Sequence, residues 1–387
     1  MYRSTTLRNS YFLSQPHQPF FILGFVNFIT AMLIFMLSFK GVFLLSVDSL
    51  FFHGFSLIFL SFTPVFLGFV FTTFPRFCQT SVIENSRYQN IFFLFVLSSL
   101  LFYLGAFTTP FISTLSLITM LGAFSWAVIT LLAIYKTSTI ADKHDPFWIL
   151  SGFGFGLLSL VVFILGFKDI AVQVGIYLYL FIVVFSVGQR MIPFFSHLMF
   201  EKKENFLKIV VGLLLVRVVS ESIYANSTIL IDLALAFIIG SELRRWKVPF
   251  SHPDLLLRIL HIALLWIPVA FLLSAIASTS ELFLDISTLK LGIHALMLGF
   301  LLTVLIGFGT RVTLGHSGNM MRLNQVTIYL FYFTQVVVLF RILTSLIASF
   351  GFDFMMSFDI SMLAWFVLFG SWAFIYFKVL IFGVKLK

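Results

Sequence analysis

Charge is scarce in this sequence: Asp, Glu, Lys and Arg make up 10% of 387 residues, against roughly 25% in ordinary soluble domains. A chain so poor in charge cannot cover a large surface with groups that water solvates, so water is excluded as its main solvent. Acidic residues are rarer than basic ones, 15 against 24. Cysteine is rarer still. A single residue, Cys78, excludes an intrachain disulfide and any all-cysteine zinc or iron–sulfur site, and a lone thiol of this kind reads as packing rather than chemistry. No Pro- or Ser-rich tether and no low-complexity tail divides the chain, and no persuasive internal repeat is visible.

What fills the sequence is apolar: 60% of residues are hydrophobic and 54 are Phe. A bilayer core about 30 Å thick needs roughly 20 apolar residues per spanning helix, and such runs recur along nearly the whole length. They fall near 20–38, 51–74, 90–107, 110–135, 147–166, 172–196, 206–220, 227–241, 254–276, 286–310, 326–349 and 360–380. The sequence therefore predicts an all-α integral membrane protein of about 12 transmembrane helices in one bundle, a single polytopic domain over 1–387 with a short cytoplasmic segment, 1–19. Arg3 and Arg8 precede the first run, but no small-residue cleavage site follows it, so it reads as a retained span rather than a signal peptide.

The net charge of +9 would suit a nucleic-acid partner if it were clustered, but its distribution follows membrane topology instead. With the N-terminus inside, one set of connections holds Arg76, Arg87, Lys136, Lys143, Lys202, Lys203, Lys208, Arg244, Arg245, Lys247 and Arg322. The other side holds Lys40, Lys168 and Lys290. The positive-inside rule then places both termini in the cytoplasm. The expected partner is the lipid bilayer, not nucleic acid. The polar linker beginning Glu201-Lys-Lys-Glu separates two groups of six spans.

Ionisable groups inside a bilayer are costly unless paired or facing a cavity, so those that remain mark candidate sites. Eight histidines stand out. His53 opens the second span and His294 lies near the start of the tenth, which puts both at a similar outer depth. His316 follows His294 by 22 positions, about 33 Å along a continuous helix, so these two cannot share one metal. His261 enters the ninth span from the inside, at a depth near that of His316 and His197. The sequence thus allows an outer site on His53 and His294 and an inner one drawing on His261, His316 and His197. Neutral imidazole suits haem iron and copper; the bland alternative is a hydrogen bond to a neighbouring helix. His144 and His252, in charged connections, read as solvated, and His17 as interfacial.

Small residues recur at Gly54, Ser61 and Gly68, and at Gly299, Thr303 and Gly307. Both stripes read first as helix packing, although a flat macrocycle also needs such a face. Gly152-Phe-Gly-Phe-Gly156 lacks the strand–turn–helix setting of a dinucleotide fingerprint. Arg190 and Arg311 lie near inner helix ends, where a guanidinium either snorkels to the interface or binds a carboxylate, such as a haem propionate, in a two-point fork.

The stretch His294-Ala-Leu-Met-Leu-Gly299 followed by Thr310-Arg-Val-Thr-Leu-Gly-His-Ser-Gly318 resembles the signature of the NnrS family, polytopic haem- and copper-containing membrane proteins of the nitric oxide response. Gly188-Gln-Arg-Met-Ile-Pro-Phe-Phe-Ser196, Gly68-Phe-Val-Phe-Thr-Thr-Phe-Pro75 and Leu260-His261 with Trp266 agree with it. There are departures. Arg76-Phe-Cys-Gln79 stands where the family has Asn-Trp-Thr-Gly, and Gln18-Pro-Phe-Phe21 where it has Arg-Pro-Phe-Phe. Only His53 remains of an outer motif with two histidines and a glutamate, Phe55 and Ser56 standing at the other two places.

The resemblance implies resistance to nitric oxide or nitrosylated species in a bacterial inner membrane. It implies haem b, with His53 and His294 as axial ligands and Arg190 and Arg311 as cofactor-binding residues. It also implies copper, whose site would draw on the outer motif of which only His53 remains, and a second functional cluster of Arg311 and His316 near the cytoplasmic face; His261 and His316, read from their depth, are the further candidate metal ligands. A distant architectural likeness to haem–copper oxidase catalytic subunits lies in the span number and the histidines of the second and tenth spans. The histidines of an oxidase's binuclear centre are absent from this sequence. A secondary transporter is the alternative, with Pro64 and Pro193 as helix breaks, but Asp232 and Glu221 are its main intramembrane acids.

Overall fold

The computed structural model describes residues 10–197, 203–249, 251–321 and 323–386. Arg3, Arg8, Glu201, Lys202 and Arg322, used above to read topology, lie outside them. Among the described residues the chain is helical along its apolar runs. The helices are α1 (His17–Phe39), α2 (Ser49–Phe77), α3 (Asn85–Phe107), α4 (Pro110–Thr137), α5 (His144–Ile164) and α6 (Lys168–Phe195), then α7 (Phe206–Ile223) and α8 (Ile229–Arg245). They continue as α9 (Leu255–Leu284), α10 (Leu291–His316), α11 (Gln325–Ser349) and α12 (Met355–Phe382).

Ten of these are long and apolar enough to cross a membrane. The other two, α7 and α8, are the shortest at 18 and 17 residues and carry charge, yet both coincide with runs the sequence predicts as spans. The protein is a multi-pass membrane protein. Asp48 accepts a hydrogen bond from the Phe51 amide at the start of α2, and Asn324 from the Thr327 amide at the start of α11, each satisfying an otherwise orphaned first-turn donor.

Two compact units divide the chain: Met1–Val183 with Gly309–Met321 and Phe369–Lys387, and Val184–Phe308 with Arg322–Leu368. In the first, phenylalanines knit the helices: Phe52 stacks on Phe102, and Phe55 meets Phe102 and Phe163. A Cβ on Gly68 would lie 2.7 Å from the Cβ of Phe20, and one on Gly24 would lie 2.7 Å from the carbonyl oxygen of Ser61, so α1 and α2 touch backbone to backbone. In the second, a Cβ on Gly299 would strike the Trp266 ring at 2.5 Å, and one on Gly307 would lie 2.7 Å from Leu260. Both small-residue stripes therefore serve helix packing.

Three spans are far more buried than the rest: α2, α6 and α10. They recur at every fourth position, and each contains a π-helical stretch, at Ser56–Phe62, Val174–Leu180 and Ala295–Leu302. A π turn carries one residue more than the α-helix around it and leaves backbone carbonyls loosely paired. Thr63 and Thr303 meet that need, each donating its hydroxyl to the carbonyl five residues back, Ile58 at 2.7 Å and Leu298 at 3.1 Å. Tyr179 of α6 donates in turn to Thr63 at 2.9 Å.

Candidate functional site

Of the two histidines read as outer, His294 immediately precedes a π stretch and His53 lies three residues ahead of another. His53 is half-buried in α2, its ring 4.4 Å from that of Phe35. His294 closes the first turn of α10, in the second unit, where its Nδ1 lies 3.0 Å from the Lys290 carbonyl. A carbonyl only accepts, so Nδ1 carries the proton and Nε2 keeps the lone pair. Arg341 of α11 lies over this ring: its Nη2 is 3.1 Å from His294 Nδ1 and 3.3 Å from Nε2, the nitrogen with the lone pair to accept from it, and 3.1 Å from the Leu289 carbonyl, while its Nη1 donates to Ser345 at 2.7 Å.

The segment leading into His294 is strained. Leu289 and Lys290 have φ of 47° and 57°, a conformation that costs roughly 1 kcal/mol or more for each such residue. The bonds from Arg341 and His294 to these two carbonyls hold it in place.

The inner histidines separate into two clusters. His316 lies with His17, ring centroids 4.9 Å apart, and its Nδ1 donates to Gln15 Oε1 at 2.9 Å. His17 is buried, not interfacial, and its Nδ1 makes no hydrogen bond among the described residues. Gln18, at the place of the family's arginine, accepts from the Gln15 amide at 2.9 Å and from Ser14 at 3.0 Å, closing the turn that starts α1. Nearby, Thr310 accepts from the Trp372 indole at 3.0 Å, next to half-buried Arg311.

In the second unit His261 is fully buried and uses both nitrogens. Nδ1 donates to the Pro249 carbonyl at 2.9 Å, and Nε2 accepts from the Ser196 hydroxyl at 2.8 Å. The His252 ring packs against it, 5.7 Å away. His197 is exposed and Arg190 half-buried. The bland reading of an intramembrane histidine, two satisfied hydrogen bonds, accounts for His261.

A family model for the NnrS protein matches residues 11–382. The chain belongs to the NnrS family. No curated protein matches it. The motif that carries the family resemblance, Thr310 to Gly318, thus lies at the C-terminal end of α10 in this NnrS chain, where His316 meets His17. At the second-span departure Cys78 is buried, and its carbonyl accepts from Ser138 at 2.8 Å, which fits the packing role read from the sequence.

Sequence reasoning missed three residues. Arg341 and Arg217 interrupt the runs at 326–349 and 206–220 and were visible as charges, but nothing in the sequence shows what either one faces. His17 gave no signal, because its burial depends on a helix three hundred residues away.

Proposed function

We propose that the chain is a haem-binding NnrS protein of the bacterial inner membrane that lessens nitrosative stress, with His294 and His53 each a candidate ligand of b-type haem. The observation that carries this reading is the state of His294. Its Nδ1 lies 3.0 Å from the Lys290 carbonyl, the backbone contact that orients a metal-ligating histidine, and a metal at Nε2 requires the Arg341 guanidinium, 3.3 Å from that nitrogen, to turn away. Imidazole nitrogens are the donor type that haem iron takes, and a haem supplies a one-electron couple when bound. The chain's own part is to orient the imidazole, through Lys290, and to place a guanidinium beside it.

Copper has thinner support. His261 has committed both nitrogens to protein partners, and among the described residues no three His, Cys, Asp or Glu side chains converge. The transporter alternative needs an available acid in the spans. Asp232 is instead enclosed by Arg217, Thr228 and Ser274, and Glu221 accepts from the Asn226 amide.

Optical and pyridine-haemochrome spectra of protein produced with ample haem test the proposal. Soret and alpha bands of a b-type haem are expected, and His294→Ala should abolish the low-spin spectrum. Colourless protein would overturn the haem reading, and an unchanged spectrum in the variant would overturn the ligand assignment.

A further inference from the structure

At the C-terminal end of α10, within the first compact unit, two imidazoles pack together with nitrogens to spare. His17, at the start of α1, is 2% exposed, and its Nδ1 makes no hydrogen bond among the described residues. A buried polar atom left in that state is costly unless a group from outside the chain meets it. The ring packed on it is that of His316, with centroids 4.9 Å apart and planes inclined by 51°. His316 Nδ1 donates to Gln15 Oε1 at 2.9 Å, which fixes the tautomer and keeps a lone pair on Nε2. A metal-ligating histidine is held in this way, by its other nitrogen. Gln15 is itself set in place, its amide donating to Gln18 Oε1 at 2.9 Å.

The spacing limits what the pair can hold. Metal–nitrogen bonds are about 2 Å long, so imidazoles on opposite faces of a haem have centroids about 6 Å apart. At 4.9 Å the rings stand too close for a macrocycle between them, but bonds of that length from both rings to one ion can meet at about 100°. Among the described residues no third His, Cys, Asp or Glu joins the pair, whereas structural zinc takes four protein ligands. The charge that acts on His316 is the Arg76 guanidinium, which disfavours a divalent ion more than a monovalent one. Copper(I) takes imidazole nitrogen, carries a single charge and is stable with two or three ligands.

We propose that His17 Nδ1 and His316 Nε2 are the protein ligands of one copper(I) ion, with Gln15 positioning His316 and a further coordination position open. The site does not rest on the haem reading, and it assigns copper to a pair that includes neither His53 nor His261.

The test dialyses the full chain in nanodiscs, without oxygen, against copper(I) buffered by bicinchoninate, and counts retained metal by mass spectrometry. One ion per chain is expected, with X-ray absorption showing nitrogen neighbours at about 2 Å. His17→Phe and His316→Gln should each weaken retention more than about a hundredfold, and Gln15→Leu, which keeps both ligands, by about tenfold. His197→Ala, at an exposed inner histidine, should retain copper like the wild type. Undiminished copper in His17→Phe or His316→Gln, or zinc displacing copper at equal concentration, overturns the assignment.

A second measurement needs no variant. Silver(I), a monovalent ion with the same filled d shell, is titrated into the wild type while the ¹⁵N imidazole signals are followed. One equivalent should move those of His17 and His316, and movement of other histidines instead overturns the site. Because both readouts follow the metal, protein that binds copper without showing haem bands sinks only the haem reading, and haem bands without bound copper sink only this one.

Discussion

Arg217 and Arg341 show how much a residue's meaning depends on what faces it. Asp232 is a candidate coupling acid by sequence, but in the fold it is the counterion of a buried arginine and accepts from two hydroxyls. Removing one partner of such a pair leaves an uncompensated charge and costs about 3–5 kcal/mol, whereas replacing both by apolar groups of similar size is close to neutral. Asp232→Ala should therefore lower the thermal midpoint sharply, and Arg217→Met with Asp232→Leu should recover most of it. The buried Cys78 thiol is a built-in reporter, since a thiol-reactive dye labels it only on unfolding. A double variant as unstable as the single one would show that the pair does more than neutralise itself. Both arginines were legible as charges in apolar runs; their partners were not, because those come from other helices.

At the scale of the element, the π-helical stretches in α2, α6 and α10 have no counterpart in the hydropathy pattern. Their residues are apolar on every side because these spans are buried all round, so no amphipathic period exposes the change in winding. The Thr63 and Thr303 hydroxyls, bonded to carbonyls five residues back, are the local signature. A π stretch behaves as a one-residue insertion, so deleting Leu301 within it should let α10 rewind as α-helix and keep its flanks in register. Deleting Leu305, in regular helix, rotates one flank by about 100° relative to the other. Monodisperse yield after detergent extraction should survive the first deletion far better than the second. Equal loss in both would mean that the π turns are needed for folding itself.

For the whole molecule, the span positions were legible to within several residues: every apolar run overlaps a helix, with ends that differ by up to eight residues, as at 254–276 against Leu255–Leu284. Orientation rests on the basic connections and has a direct test. In a Cys78→Ser background, Lys40→Cys and Asp285→Cys should react with a membrane-impermeant maleimide from outside the cell, and Lys143→Cys and Lys247→Cys only after lysis. The reverse pattern would invert the topology. By itself the sequence determined the solvent of this protein, its spans, its family and the two ends of α10 at which histidines sit, because all of these follow from local composition and short motifs. Only the tertiary structure decided which side chains meet: His17 with His316, His261 with Ser196 and Pro249, and Arg341 with His294. The physical reason is that hydropathy fixes how deep a helix residue lies but not the neighbour it turns toward. That neighbour is set by helix rotation and by close approaches such as Gly68 on Phe20 and Gly299 on Trp266.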